Sequence, residues 1–275
     1  MVTMYDDVTE GMRSDFARDG YVVVDDIFAT AALADLENSL RGTIRAFARK
    51  AGVTFDGDEL DAGLLALEAA DHKWVAYVFD TMGQSPTLRR FHDEPRLCRL
   101  ANALLGYEPD GPLYTFSTRL RIDPPLEDKR TYRWHQEVFY TIPRSEFIQV
   151  WAPMVRSSTR ANGTVVVCPG SHREGVARCE WIEQPGRATQ ITVAPEIVAK
   201  YEARPMPLEP GQALLFSSTL CHRSGSNTSQ HVRYTLVGMY HAVGGAQFVP
   251  VQPKFEYAGE TPRIYHSEWS KQWSR

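Results

Sequence analysis

Long apolar runs are missing from this chain. No stretch approaches the roughly 18 consecutive apolar residues that a transmembrane helix needs, so no membrane association is expected. A basic excess is missing too. Lys and Arg number 30 against 34 Asp and Glu, a net charge of −4. That leaves no phosphate-neutralising surface, and nucleic acid is not an expected partner. Cysteine is scarce: Cys98, Cys168, Cys179 and Cys221 form no CxxC pair, which excludes a disulfide framework and a thiolate zinc site. The opening MVTMYDDVTEGMRSDF is acidic and has no apolar core. It does not read as a secretory signal, so the expected compartment is a reducing cytoplasm. Internal repeats and low-complexity linkers are absent.

What remains is an ordinary globular composition with 43% hydrophobic residues, enough for a core. The first third is patterned as helices. Asp7 to Asp19 reads as a short helix and GYVVVDDIF as a buried strand. Ala29 to Lys50 carries Leu33, Leu36, Leu40, Ile44 and Phe47 at spacings of three or four. Ala51 to Gly63 reads as loop, residues 64–82 as one helix, and Pro95 to Leu105 as another, closed by Gly106.

After about residue 112 the pattern becomes strand-like: LYTFSTRLRID, YRWHQEVFY, FIQVWAPMV, GTVVVCPGSH, QALLFSS and VRYTLVGMYH. ARCEWIEQP adds a possible strand and APEIVAKYEA a possible short helix. Many short strands of this kind close into a sandwich, jelly roll or barrel. The expected fold is a single, mainly β (α+β) domain over 1–275. Its helical part (about 1–110) packs as a layer on one sheet of a β core (about 111–245), with a tail over 246–275.

In YRWHQEVFY, His135 and Glu137 share one strand face if the strand is regular, with Phe139 behind them. Such a pair is either half of a metal site or a solvated strand face. A third ligand is available in His222, after the strand 213–216. Two imidazoles and one carboxylate make the facial triad that leaves open positions on Fe(II), and the lack of thiolate argues against a structural zinc. Eleven residues later, Arg233 sits in an otherwise neutral or apolar strand row with Thr235, Val237 and Met239. A buried guanidinium there needs an anionic partner, and its fork suits a carboxylate. Ser224 can donate a second hydrogen bond to the same anion.

Taken in order, these segments resemble the phytanoyl-CoA dioxygenase family of Fe(II)- and 2-oxoglutarate-dependent oxygenases. His135-Gln136-Glu137, His222, Ser224 and Arg233 match its HxD, distal histidine, serine and arginine. Trp151-Ala152-Pro153, Asn162-Gly163, Pro169-Gly170-Ser171-His172 and the opening Phe16-Ala17-Arg18-Asp19-Gly20-Tyr21 match its intervening pattern. The likeness spans about residues 16 to 241. Glu137 departs from the usual aspartate but offers the same ligand atom one methylene further out; a halogenase is disfavoured, because related halogenases replace this carboxylate.

The resemblance implies a double-stranded β-helix (jelly roll) holding Fe(II) on His135, Glu137 and His222. It implies 2-oxoglutarate on Arg233 and Ser224, with Trp151 lining its pocket, and O₂ as the oxidant. Thr118 and Gln149 are further polar candidates there. The implied reaction oxidises an unactivated C–H bond of a small metabolite or biosynthetic intermediate, releasing succinate and CO₂. Hydroxylation, desaturation, cyclisation, epimerisation and rearrangement all begin in the same way. A cupin-like isomerase or a small-molecule binding module is the alternative class. Phe116, Phe139, Tyr140 and Trp151 suggest a partly apolar substrate pocket, and Arg119, Arg121 and Arg144 are candidates to meet an anion. A monomer or homodimer is expected. His172, His231 and His241 read as structural, Cys168 and Cys221 as small buried apolar residues, and Asn162-Gly163 as a type I′ hairpin turn.

Overall fold

The computed structural model describes residues 3–5, 7–126, 131–140, 146–183, 190–246, 248 and 250. Arg144 and the tail beyond Pro250 lie outside them. The chain runs β1 (Met4–Tyr5), α1 (Glu10–Asp19), β2 (Tyr21–Val24), α2 (Thr30–Ala51), α3 (Leu64–Ala70), α4 (His72–Gly83), α5 (Pro86–His92) and α6 (Pro95–Leu104). It continues with β3 (Leu113–Asp123), β4 (Ile148–Pro153), β5 (Val166–Val167), β6 (Cys179–Ile182), β7 (Gln190–Val193) and α7 (Pro195–Val198). Last come β8 (Arg204–Pro205), β9 (Ala213–Ser217), β10 (His222–Arg223) and β11 (Arg233–Ala242). Among the described residues no helix is long and apolar enough to cross a membrane.

Local chemistry sets these boundaries. The Thr9 hydroxyl accepts from Met12 N at 3.0 Å and starts α1, and Gly20, at φ 80°, ends it. The span 64–82 is not one helix. Asp71 adopts an extended backbone, closes α3 and caps α4 by accepting from Lys73 N at 2.9 Å. Ser85 with Pro86 starts α5, which the apolar pattern alone did not mark. The supposed loop before Gly63 contains a π-helical turn, Glu59–Gly63. There Asp61 accepts from Arg156 at 2.8 Å and from Val232 N at 2.8 Å, and contacts His231 Nδ1 at 2.9 Å. That carboxylate ties the helical segment to the start of β11.

One six-stranded sheet has the order β1-β2-β9-β4-β11-β3, antiparallel except for β1 with β2. A three-stranded sheet, β10-β5-β8, is its counterpart, and β6 with β7 forms a separate hairpin. Period-two alternation sorts the large sheet's side chains into two cores. Val22, Val24, Ile148, Val150, Leu215, Tyr234 and Leu236 share a cluster with Leu36, Leu40 and Ile44 of α2 and Val75, Val78 and Met82 of α4. Tyr21, Val23, Trp151, Leu214, Phe216 and Val237 turn the other way, toward Val165, Val167, Met206 and Leu208. Each of the fully buried leucines would cost about 2–5 kcal/mol to truncate to alanine. Two sheets sharing an interior make a jelly roll, and the interior opens into the site.

Candidate metal and co-substrate site

His135 and His222 lie on neighbouring backbones. His135 N donates to His222 O at 2.9 Å and His222 N to His135 O at 3.0 Å. Ser224 N donates to Tyr132 O at 3.0 Å, so 132–135 runs antiparallel to 222–224. The expected strand through YRWHQEVFY stops there. Glu137–Tyr140 is a 3-10 turn, so Glu137 does not share a strand face with His135. Its longer arm reaches the same place: Glu137 Oε2 lies 3.7 Å from His135 Nε2 and 3.6 Å from His222 Nε2. The three donor atoms lie within 4.8 Å of one another.

These separations are too long for hydrogen bonds and suit atoms that face a common centre. The tautomers agree. His135 Nδ1 lies 2.7 Å from Arg133 O and His222 Nδ1 lies 2.9 Å from Leu220 O. A carbonyl only accepts, so Nδ1 carries the proton and Nε2 keeps its lone pair for a ligand. Burial, with His135 adjacent, lowers the His222 pKa and favours the neutral ring. Burial opposes ionisation of Glu137; its carboxyl is held below the ordinary range when the facing Nε2 atoms are protonated, and a cation between the three groups would take over that role once the rings are neutral. An N,N,O set with converging lone pairs and no thiolate fits a divalent cation such as Fe(II).

Gln136, fully buried, fixes this segment from behind. Its amide donates to Gly175 O at 2.8 Å and Thr219 O at 2.6 Å, and accepts from Ala177 N at 2.8 Å.

The triad lies in the wall of a cavity of about 720 Å³. Arg233 lines the cavity and is 5% exposed. Its Nη2 meets Asp123 Oδ2 at 2.9 Å and its Nη1 donates to Asn162 O at 3.3 Å. Arg121 Nη2 donates to the other oxygen of Asp123 at 2.8 Å. The anion that a buried Arg233 requires is therefore already supplied by its register partner across the sheet. Burial opposes the charge on Asp123, but the two guanidiniums hold its pKa down at about 2. Arg233 Nε is buried with no hydrogen-bond partner among the described residues. Ser224 Oγ accepts from Tyr132 N at 3.2 Å, which leaves its own proton to give. An orphaned guanidinium N–H and an available hydroxyl at the cavity wall fit the distal carboxylate of 2-oxoglutarate.

Asn162-Gly163 is not a type I′ turn, since only Gly163 has positive φ, at 83°. Asn162 instead accepts from Thr159 N at 2.7 Å, and a Cβ on Gly163 would stand 2.7 Å from Arg233 Nη1. Glycine is required there so that the backbone can pass under the guanidinium.

Of the other expected residues, Trp151, Phe116, Tyr140, Arg119 and Arg121 line the cavity. Thr118 does not: alternation gives the cavity face to its neighbour Arg119, and a register shift between Val237 and Met239 returns Phe116 to the wall. Phe139 does not either, because the 3-10 turn directs it into the cluster of Cys168, Ala177, Val193 and Cys221. The Tyr140 hydroxyl donates to Ile191 O at 3.1 Å and accepts from Ile191 N at 2.9 Å, joining β7 to the triad segment. His231 bonds Asp61, His172 Nε2 meets Ala17 O at 3.2 Å, and His241 is buried away from the triad. Sequence reading missed Asp123, Tyr132 and the contribution of α4, whose His72, Ala76 and Phe79 line the cavity. Their spacing of four and then three was the available signal.

A jelly roll with two buried histidines and a partly exposed glutamate converging beside a buried arginine fits the class of non-haem iron, 2-oxo-acid-dependent oxygenases. The model of the phytanoyl-CoA dioxygenase (PhyH) family matches residues 16–235, and the chain belongs to that family. It is an Fe(II)- and 2-oxoglutarate-dependent dioxygenase, with O₂ as the oxidant. The ectoine dioxygenase of Sphingopyxis alaskensis is 26% identical over 245 residues, covering 83% of this chain and 74% of that protein. The crystal structure of EctD from S. alaskensis with 2-oxoglutarate and 5-hydroxyectoine superposes with a TM-score of 0.60 at 24% identity, covering 86% and 77% of the two chains. The epimerase SnoN, in complex with Fe³⁺, alpha-ketoglutarate and nogalamycin RO, shares the fold with a TM-score of 0.59 at 17% identity, covering 88% and 93%.

Proposed function

We propose that this chain acts as one domain that oxidises an unactivated C–H bond of a small metabolite or biosynthetic intermediate, with release of succinate and CO₂. In this reading His135 Nε2, His222 Nε2 and Glu137 Oε2 hold Fe(II). Arg233 and Ser224 hold the far carboxylate of 2-oxoglutarate, and Trp151 walls that pocket. The N-terminal helices serve as a supporting layer for the large sheet. The metal and co-substrate together supply a strong oxidant for hydrogen abstraction. The protein's own residues orient both partners and keep water away from them. Tyr132 and Tyr140 flank His135, with ring centroids 5.3 and 5.6 Å from it, and shield the metal side of the cavity. Asp123 spaces the Arg121 and Arg233 guanidiniums and keeps them from repelling each other.

The observation that carries this reading is the convergence of three donor atoms in one wall of the cavity that also exposes Arg233. The test is succinate formation from 2-oxoglutarate by the Fe(II)-loaded protein in air. Wild type should produce succinate slowly even without a primary substrate. His222→Ala should abolish it, and equal rates for the two proteins would refute the assignment.

A further inference from the structure

The cavity, about 720 Å³, falls in the range that holds a drug-sized ligand. Strand β11 sets out its length. Arg233 and Met239 both line it, and at ~3.3 Å per residue they stand ~20 Å apart along the strand. At the Met239 end, β4 places Gln149 directly opposite Met239, and β9 places Phe216 on the other side of Gln149. All three side chains line the cavity, and Phe116, the partner of Met239 on β3, completes this wall. The metal side is close by, since the Phe216 ring lies 4.8 Å from the His222 ring.

Gln149 is a polar side chain set among apolar ones. It is 5% exposed, and its Oε1 is buried with no hydrogen-bond partner among the described residues. A methionine or leucine there would fill the same wall without an unpaired carbonyl, so the fold itself has no use for the carboxamide. The chemistry of its missing partner follows from the atom. A carboxamide oxygen only accepts. The two carboxylates and the ketone of 2-oxoglutarate also only accept, so the co-substrate cannot pair with it. The complement is a donor on another ligand. That donor is uncharged, because a cation in such a wall needs a carboxylate. The described carboxylates of the wall are already engaged, Asp123 by Arg121 and Arg233 and Glu137 within the triad.

We propose that Gln149 binds the primary substrate. Its Oε1 accepts a hydrogen bond from an uncharged O–H or N–H of that substrate, whose apolar part packs on Phe116, Phe216 and Met239. The bond fixes which C–H faces the metal side. This inference rests on the oxygenase reading of the same cavity.

The test uses protein loaded anaerobically with Fe(II) and 2-oxoglutarate, whose visible chelate band is recorded first in wild type. Three matched pairs are then titrated, reading the shift of that band. Cyclohexanol and 2-adamantanol are each set against their methyl ethers, and 2-piperidinone against its N-methyl form. At least one donor should bind about tenfold or more tighter than its methylated partner, and that preference should fall to parity in Gln149→Met. The same variant should bind 2-oxoglutarate as tightly as wild type does. Free of metal, it should melt no lower than wild type, because it loses an unpartnered oxygen and no hydrogen bond. Methylated forms that bind as well as the donors, no binding by any donor at millimolar concentration, or a preference that survives Gln149→Met would overturn the proposal. Weaker 2-oxoglutarate binding in the variant would overturn it too, as would a melting temperature lower by about 4 °C or more, the mark of a structural amide. Should Gln149→Met fail to fold, Gln149→Leu takes its place in every arm, and failure of both counts as that structural outcome. Absence of the chelate band in wild type would instead count against the oxygenase reading itself.

Discussion

His135 and His222, 87 positions apart in the chain, exchange both backbone hydrogen bonds, and their rings stand 4.1 Å apart. The pair is fixed by main-chain geometry before any metal arrives. Only the carboxylate ligand hangs on a side chain that leaves a 3-10 turn. Glu137→Asp, which restores the residue usual in the family, should therefore lower Fe(II) affinity by about tenfold or more while the fold persists. Anaerobic metal titration with circular dichroism checks this; unchanged or tighter binding would show that the turn can follow the shorter arm.

Gln136 carries the other side of that segment. Gln136→Ala removes three buried hydrogen bonds at once and leaves two carbonyls and an amide N–H unpaired. The expected loss is about 2–4 kcal/mol of stability, with a weaker metal site in the protein that remains folded. Urea unfolding of the metal-free protein gives the first figure, and a loss below about 0.5 kcal/mol would rule out the role.

Arg233→Ala should raise the KM for 2-oxoglutarate by two orders of magnitude or more and change Fe(II) affinity little. Gly163→Ala should mimic it in part, because the new methyl would strike Arg233 Nη1 and Gly225 O. Equal losses of metal and co-substrate binding in Arg233→Ala would mark the arginine as structural.

Acid sensitivity should come partly from two buried histidines outside the triad. Burial lowers both His92 and His241 from 6.5 to about 4. The unfolded chain takes up these protons first. The stability they contribute is complete above pH 6.5 and is lost as pH falls from 6.5 toward 4. Each accounts for roughly 3 kcal/mol at most. His92→Phe should flatten the fall in melting temperature over that window, and an unaltered slope would exclude His92.

Much of this architecture was legible in the sequence because it depends on periodicity. The apolar spacing of α2 and the alternation in β4, β9 and β11 mark elements whose faces are buried. His222 and Ser224 could be placed because the apolar strands β9 and β11 frame them, and Arg233 because it opens β11. The region around Glu137 misled for a physical reason: aromatic and β-branched residues suit a strand, but pairing with β10 ends at His135. Asp123 passed unnoticed, since nothing in STRLRID says that its last carboxylate meets an arginine 110 residues away. Thr118 is turned away by alternation, because its neighbour Arg119 takes the cavity face, while a register shift that leaves no mark in composition returns Phe116 to the wall.

The most direct test of the central claim is the visible spectrum of the purified protein with Fe(II) and 2-oxoglutarate under anaerobic conditions. A weak charge-transfer band that needs both additions, disappears in His135→Ala and His222→Ala, and requires far more 2-oxoglutarate in Arg233→Ala is the predicted result. A folded wild-type protein that shows no such band at saturating Fe(II) and 2-oxoglutarate would contradict it.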